Sequence, residues 1–242
     1  MDEYPASEPL IRPIYGSDEF IKGKESYCLW IDDDQLELAE SIPPIKARIE
    51  ANMLFRLNES KDGQELAKRP HQFREHPDDA EKVIIPRVSS ENRNYVPMSF
   101  LNKTDIVSDS AFALYDAETW LFGILTSAMH MVWVKTVGGR LETRYRYSAQ
   151  LCYNTFPFPS ISEAKKQEIA EAAEEVLVTR EFHIGKTLAE LYDPDQMPQD
   201  LREAHERLDD IVESCYPGYP FANDEARLEC LFKLYEQMTT AT

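Results

Sequence analysis

One long apolar segment, residues 113–134 (ALYDAETWLFGILTSAMHMVWV), constrains the fold more than any other feature of the sequence. Asp116 and Glu118 interrupt it near its start, so no apolar run reaches the roughly 18–20 residues that a transmembrane helix needs. We therefore predict a helix over residues 117–133 that is buried inside the protein, and no membrane partner. The remainder of the 242 residues is long enough to cover it with a sizeable core.

The composition is that of a globular protein, with 43% hydrophobic and 29% charged residues. Its four cysteines, Cys28, Cys152, Cys215 and Cys230, are scattered and form no CxxC pair. This usage predicts free thiols rather than a disulfide framework or a zinc site. No basic-then-apolar leader opens the sequence, so we expect a cytoplasmic location.

The net charge of −18 is unevenly distributed. Residues 1–82 hold 11 basic and 19 acidic side chains, and residues 159–242 hold 8 and 19. Residues 83–158 hold 7 basic and 6 acidic side chains. The middle third is therefore the only part where an anionic ligand would not meet a repelling field.

Short strand-like pieces and polar turns from residue 83 onward, interrupted by the apolar helix, predict a mixed α/β module. After FPFP the pattern is helical, with capping boxes at Ser160–Glu163 and Thr187–Glu190. Pro43 opens a further helix before this module. The sequence thus predicts an α+β protein with a mixed α/β recognition domain at residues 1–158 and a small all-α helical domain at residues 159–242.

The sequence carries no recognisable catalytic or metal motif. It has five histidines but no HxxxH or HExxH, and it lacks GxSxG, GxxxxGK[ST] and GxGxxG. We expect His130, on the apolar helix, to be a core residue rather than a ligand. We predict no catalytic residue and no metal site in this chain, which leaves open whether it is part of an enzyme.

Recognition chemistry is concentrated in GGRLETRYRYSAQLCYN, residues 138–154. Arginine pairs bidentately with guanine, and glutamate accepts from the cytosine amino group. Glu142, Arg144 and Arg146 are two residues apart and would share one side of a strand. The alternative is an ordinary strand with cross-strand salt bridges. Donors for the DNA backbone are predicted at Arg140 and, in RVSSENRNY, at Ser89, Ser90, Asn92 and Arg93.

Several segments together resemble the target-recognition domain of MmeI-like restriction–modification enzymes. They are IRPIYGSDEFIKGKESYCLWI, VIIPRVSSENRNYVPMSFL, SDSAFALYDAETWLFGILTSAMHMVWV and GRLETRYRYSAQLCYNTFPFP. The later segment IGKTLAELYDPDQMPQDLREAHERLDDIVESCYPG is similar to the helical C-terminal domain of the same family. The resemblance extends from about Ile11 to Met238.

Members of this family join a nuclease, an adenine-N6 methyltransferase that uses S-adenosylmethionine, and the recognition unit. The nuclease and methyltransferase signatures are absent from this sequence. The resemblance therefore implies a C-terminal fragment that recognises double-stranded DNA but cannot methylate or cut it alone. Its further partners would be the methyltransferase and nuclease domains, which would hold S-adenosylmethionine and Mg²⁺, with no cofactor in this chain.

The resemblance also implies roles for three residue pairs. Glu142 and Arg144 fall on the pair that selects the base 3′ of the methylated adenine, in the form that selects C. Arg87 and Asp109 fall on the pair for the base two positions 5′ of the adenine, in the guanine-selecting form. Ser110 and Arg146 fall on the pair for the position between, where serine leaves the preference open. The implied target ends in G-n-A-C.

An alternative is an acidic protein-interaction or DNA-mimic module without base recognition, since acidic surfaces can imitate duplex phosphates. The charge distribution favours the first interpretation, because the acidic residues flank a neutral, arginine-bearing centre.

Overall fold

A computed structural model describes residues 3–240 and gives them an α+β fold. The strands are β1 (Ile11–Tyr15), β2 (Tyr27–Leu29), β3 (Lys82–Pro86), β4 (Val88–Ser89), β5 (Ser99–Leu101), β6 (Ile106–Val107), β7 (Ala111–Tyr115), β8 (Gly139–Leu141) and β9 (Arg144–Arg146). The α-helices are α1 (Ser17–Lys22), α2 (Leu36–Ser41), α3 (Pro43–Leu57), α4 (Lys61–Leu66), α5 (Thr119–Leu125), α6 (Ala128–Val137), α7 (Glu163–Phe182), α8 (Leu188–Leu191), α9 (Gln199–Glu213) and α10 (Asp224–Thr240).

The chain forms two compact units. The first contains the residues up to Ile14, Glu25–Ala80 and Thr104–Ile106. Its sheet has the order β2–β1–β6, and its small core packs α2 and α3 through Ala39, Ile42, Ile45 and Ile49. The predicted helix from Pro43 is confirmed, with prolines at its first positions, where no backbone donor is needed.

The second unit contains Tyr15–Lys24, Glu81–Lys103 and the residues from Val107 onward. It holds two sheets, with the orders β5–β3–β7 and β4–β9–β8. β3 is buried along its whole length because it lies between two antiparallel neighbours and against the helices. One hydrophobic core joins this sheet to α5–α10, with α5 packed on α7 and α7 on α9.

The helix predicted over residues 117–133 is two helices, so that prediction is wrong in its continuity. α5 ends at Leu125 and α6 begins at Ala128, with a bend of 53° between them. Ser127 makes the break, because its hydroxyl accepts the backbone N–H of His130 as an N-cap. The predicted burial is confirmed, with Phe122, Ile124 and Met129 fully buried.

Of the predicted caps, one is confirmed and one is displaced. Thr187 and Glu190 form the expected capping box at α8. α7, however, is capped by Ser162, whose hydroxyl accepts the N–H of Lys165, and not by Ser160. Because α7 begins at Glu163, Ser162 directly precedes its first turn and is the residue in the N-cap position.

The two compact units do not follow the boundary predicted after residue 158, because the helices beyond it share the core of residues 83–156. The division into a domain at residues 1–158 and a domain at residues 159–242 stays a prediction. Within residues 3–240 no single helix has the length and apolarity to cross a bilayer. The bent α5–α6 pair meets both criteria only when its halves are combined, and most of its residues are buried in the protein.

Candidate nucleic-acid interface

Arg87 joins the two groups of predicted site residues through its backbone. Its N–H donates to the carbonyl of Ser110 at 3.2 Å, and its carbonyl accepts the N–H of Tyr147 at 2.8 Å. Ser110 therefore lies on one side of Arg87, and the end of β9 lies on the other. All these residues belong to the second compact unit. The structure thus brings together segments that are far apart in the sequence.

The turn at Asp109 and Ser110 connects β6 to β7. The Ser110 hydroxyl accepts the N–H of Ser17 at 3.0 Å and lies 3.1 Å from the hydroxyl of Ser108. It is therefore tied to the start of α1. The Asp109 side chain is exposed, and its carboxylate has no hydrogen-bond partner in the part of the chain that the structure describes.

The half-buried Arg87 side chain stacks on an aromatic ring. Its guanidinium carbon is 4.2 Å from the centroid of Phe112, and its Nε is buried without a hydrogen-bond partner. Stacking of this kind fixes the plane of the guanidinium while leaving its outer nitrogens available to a planar acceptor. Phe112 contributes this support from β7, opposite Ile85 of β3.

β9 alternates between the protein interior and solvent. Tyr145 is buried, whereas Arg144 and Arg146 on either side of it are exposed. β9 is the central strand of its sheet, with Val88 of β4 and Gly139 of β8 opposite Arg146. The prediction that Arg144 and Arg146 share one side of a strand is confirmed, and that side faces solvent.

Glu142 is not part of β9, so the prediction that it shares one side of a strand with Arg144 and Arg146 is wrong. It is the first residue of the two-residue turn between β8 and β9 and has a left-handed backbone, with φ of 58°. Glycine usually occupies this position of a hairpin turn. The Glu142 carboxylate nevertheless reaches Arg144, whose Nη2 donates to Oε2 at 2.9 Å. The Arg144 and Glu142 side chains are 45% and 76% exposed.

Arg140, predicted as a contact to the DNA backbone, is exposed and also interacts within the hairpin. Its guanidinium carbon is 4.1 Å from the centroid of the Tyr145 ring, and its Nη1 donates to the carbonyl of Thr143 at 3.1 Å. The residues opposite one another, Ser89, Tyr145 and Arg140, lie on the side of the sheet away from Arg144 and Arg146.

The structure leaves the predicted phosphate donors of residues 89–93 unequally accessible. Ser89 is 4% exposed and accepts from Nη1 of Arg93, so its predicted phosphate contact is corrected to an internal one. Ser90 accepts the N–H of Asn92, which is itself exposed. Arg93 lines a cavity of about 380 Å³ together with Asp193 and Asp195, whose negative charges would repel an anion.

Sequence patterns did not identify two residues of this region, Glu91 and Thr143. The Thr143 hydroxyl donates to Oε1 of Glu91, a contact between residues 52 positions apart. This hydrogen bond lowers the pKa of Glu91, with the nearby Arg144 and Arg140 acting in the same direction. Nothing local in RVSSENRNY or GRLETRY indicates it, because it depends on the pairing of β4 with β9.

The buried titratable groups of the second unit belong to its core. His130 is completely buried, with Nε2 2.9 Å from the Tyr147 hydroxyl, and burial lowers its pKa to about 3. The prediction that it is a core residue is confirmed. Burial raises the pKa of Asp209 to about 7, although it accepts from Tyr95 and from the N–H of Ala128. Within residues 3–240 no three His, Cys, Asp or Glu side chains group as metal ligands.

Comparison with known proteins gives two family matches along the chain. The model described as "MmeI, target recognition domain" matches residues 1–160, and the model described as "MmeI, C-terminal domain" matches residues 161–242. The sequence is 47% identical over 241 residues to DNA methyltransferase A of Bacillus subtilis (strain 168), covering 99% of this chain and 27% of that protein.

A solved structure is also similar. It is that of the type IIL restriction–modification enzyme MmeI in complex with DNA, with a TM-score of 0.92 and 39% sequence identity. The match covers 98% of this chain and 32% of that one. The chain therefore spans between about a quarter and a third of the length of the relatives that it matches.

Proposed function

The chain belongs to the MmeI family, with its target-recognition and C-terminal domains, and from this premise we propose that it recognises base sequence in double-stranded DNA. The proposal extends to a role as the recognition part of a larger adenine-N6 methyltransferase and restriction enzyme. A cytoplasmic location, where the DNA would be encountered, goes with this proposal. So does the binding of S-adenosylmethionine and Mg²⁺ by other domains.

The single observation that carries the proposal is the backbone connection through Arg87. Through these two hydrogen bonds Arg87 lies between the Asp109–Ser110 turn on one side and the end of β9 on the other. Charged groups that can bind base edges then project from adjoining segments, and Asp109, Arg144 and Arg146 are exposed. A set of arginine and carboxylate groups presented in this way suits the donors and acceptors of the major groove.

The proposed assignments follow the pairs that the family resemblance implies. Glu142 would accept from the cytosine amino group while Arg144 binds the guanine paired with it. Arg87, with Asp109, would bind the guanine two positions 5′ of the adenine. Ser110 and Arg146 would face the position between, and the target would end in G-n-A-C. Each correct bidentate contact contributes on the order of 1–3 kcal/mol of discrimination.

The charge of the chain limits its affinity for DNA on its own. At a net charge of −18, phosphate attraction is confined to the neutral centre of the sequence. Nonspecific affinity for DNA comes mainly from lysine and arginine contacts to phosphates. We therefore expect weak, salt-sensitive binding by this chain, with further contacts supplied by the methyltransferase domain in the larger enzyme.

Selection from randomised duplexes tests the proposal. The chain, at low ionic strength, is mixed with a pool of duplexes, and the bound fraction is sequenced. Enrichment of G and C separated by two positions supports base recognition. Retention of duplexes without any base preference would reject base recognition, and no retention of DNA even at low ionic strength would support the acidic interaction module instead.

A further inference from the structure

We propose that Glu91, Thr143 and Arg140 are positioning residues that hold the hairpin turn in the one conformation that presents Glu142 together with Arg144. This inference rests on the proposed function. It assigns to these three residues control over how strictly the base next to the adenine is recognised, through the conformation of the turn and without any contact between them and the bases.

The turn between β8 and β9 does not favour this conformation by its sequence. Glu142 has a φ of 58°, a region that side-chain-bearing residues other than Asn and Asp seldom occupy. A turn of Glu and Thr has neither glycine nor asparagine to stabilise it. Its conformation must therefore be held by contacts made from outside the turn.

Two contacts hold Thr143 from opposite ends. Its hydroxyl donates to the Glu91 carboxylate, which approaches from the loop after β4. Its carbonyl accepts from Nη1 of Arg140 at 3.1 Å. Because the hydroxyl and the carbonyl are both engaged, the Thr143 side chain and the peptide plane that joins Thr143 to Arg144 have little freedom to rotate.

Arg140 is itself fixed by stacking. Its guanidinium lies 4.1 Å from the centroid of the buried Tyr145 ring, which belongs to the core of the second unit. Arg140 thereby connects the turn to a residue of the core through one stacking contact and one hydrogen bond. Glu91 and Arg140 meet the turn from different segments, so the loss of either one releases one side only.

The consequence concerns specificity more than affinity. A freely rotating turn would still carry the Glu142 carboxylate and the Arg144 guanidinium. The phosphates would still repel the carboxylate and attract the guanidinium. Their alignment with the donor and acceptor of one base pair would be lost for part of the time. Discrimination depends on that alignment, whereas phosphate attraction does not.

Matched variants separate the hydrogen bond from the bulk of each side chain. Glu91→Ala and Thr143→Val remove the bond, whereas Glu91→Gln and Thr143→Ser keep an acceptor and a hydroxyl. For each variant, dissociation constants are measured by competition for duplexes that differ in a single base pair. One series varies the C next to the adenine, and the other varies the G assigned to Arg87 and Asp109.

We expect Glu91→Ala and Thr143→Val to lower the discrimination at C by roughly 3- to 10-fold, the range for loss of one hydrogen bond. Discrimination at G should change by less than about 2-fold, and Glu91→Gln and Thr143→Ser should retain the wild-type values at both positions. The Glu91→Ala/Thr143→Val double variant should lose no more than either single variant, because both remove the same bond.

Three outcomes overturn the inference, and they differ in what they imply. Wild-type discrimination at C in Glu91→Ala and Thr143→Val would reject the positioning role and leave base recognition by the chain intact. An equal loss at C and G would assign these residues to general stability instead. The absence of discrimination at both positions in the unaltered chain would reject the inference together with the proposed function.

Discussion

Arg144 donates from Nη2 to Oε2 of Glu142 at 2.9 Å, across the junction between a strand and the turn that precedes it. Both side chains are exposed, and a salt bridge between exposed side chains contributes at most about 1 kcal/mol to stability. The pair therefore has little structural value and is free to be exchanged. We propose that the pair serves instead to bind the two bases of one base pair.

Exchanging the charges of this pair should change the preferred base. In Glu142→Lys/Arg144→Asp the proposal predicts a shift from C to G at the base 3′ of the adenine. The reason is that a lysine donor replaces the carboxylate acceptor at residue 142, and an aspartate acceptor replaces the guanidinium donor at residue 144. The measurement is selection from randomised duplexes. The preference at the other positions should stay unchanged.

A second exposed ion pair provides the control. Glu229 and Lys233 on α10 are joined at 2.6 Å and are about as exposed as the recognition pair or more so. Glu229→Lys/Lys233→Glu exchanges charge in the same way at a site without an assigned base. An altered base preference in this control, or an unaltered one in the recognition variant, counts against the assignment.

Glu142→Gly should separate backbone strain from base recognition. Glycine accepts the left-handed conformation at no steric cost, so stability should rise by up to about 1 kcal/mol, while the discrimination at C is lost with the carboxylate. Thr143→Gly, at a position without positive φ and with loss of the hydroxyl that donates to Glu91, should instead lose about 1–2 kcal/mol. Denaturant unfolding measures both. A large loss of stability in Glu142→Gly contradicts the structural account of the turn.

Acid should destabilise the second unit through its buried histidines. Burial lowers the pKa of His130 to about 3, and that of His205 falls well below its ordinary value for the same reason. Each folded-state pKa lies below the unfolded value of about 6.5, so the unfolded chain binds more protons and stability falls as the pH drops below that value. At pH 5 the expected loss from His130 is about 2 kcal/mol, and His205 acts in the same direction.

Asp209 opposes this trend, so a difference measurement is needed. Its folded-state pKa of about 7 lies above the usual carboxyl value, and acidification between those two values stabilises the fold. Comparing wild type with His130→Gln at pH 7 and pH 5 cancels that contribution. The stability advantage of wild type should shrink by about 2 kcal/mol between pH 7 and pH 5. A pH-independent difference would show that His130 is not held neutral.

The contact between α5 and α7 depends on Gly123. A Cβ at this position would lie 2.7 Å from Cγ2 of Ile169 and 3.2 Å from Cβ of Ala173. Gly123→Ala should therefore cost about 1–3 kcal/mol, despite the better helix propensity of alanine. Adding Ile169→Leu, which removes the Cγ2 methyl and keeps the volume, should restore part of the loss. Thermal unfolding of the single and double variants decides the matter.

Local patterns predicted much of the fold. Helix α3 from Pro43, the capping box at Thr187 and the buried character of His130 all depend on neighbours in the sequence, and each is confirmed. The exposure of Arg144 and Arg146 likewise followed from strand alternation.

Long-range contacts decided the features that were missed. Whether Ser89 is exposed depends on a distant segment, because β4 pairs with β9 at this position. The same is true of Glu91, which meets Thr143 only once β4 pairs with β9. The turn at Glu142 went unrecognised because its residues lack the glycine or asparagine that normally mark a two-residue hairpin.

The most direct test of base recognition is a double-mutant cycle between Arg144 and the guanine opposite the C. Arg144→Ala is combined with 7-deazaguanine, which lacks the N7 acceptor, and dissociation constants are measured for all four combinations. The account predicts that each change alone weakens binding and that the two together cost little more than either, with a coupling of roughly 1–2 kcal/mol. Additive losses, with a coupling near zero, would contradict it.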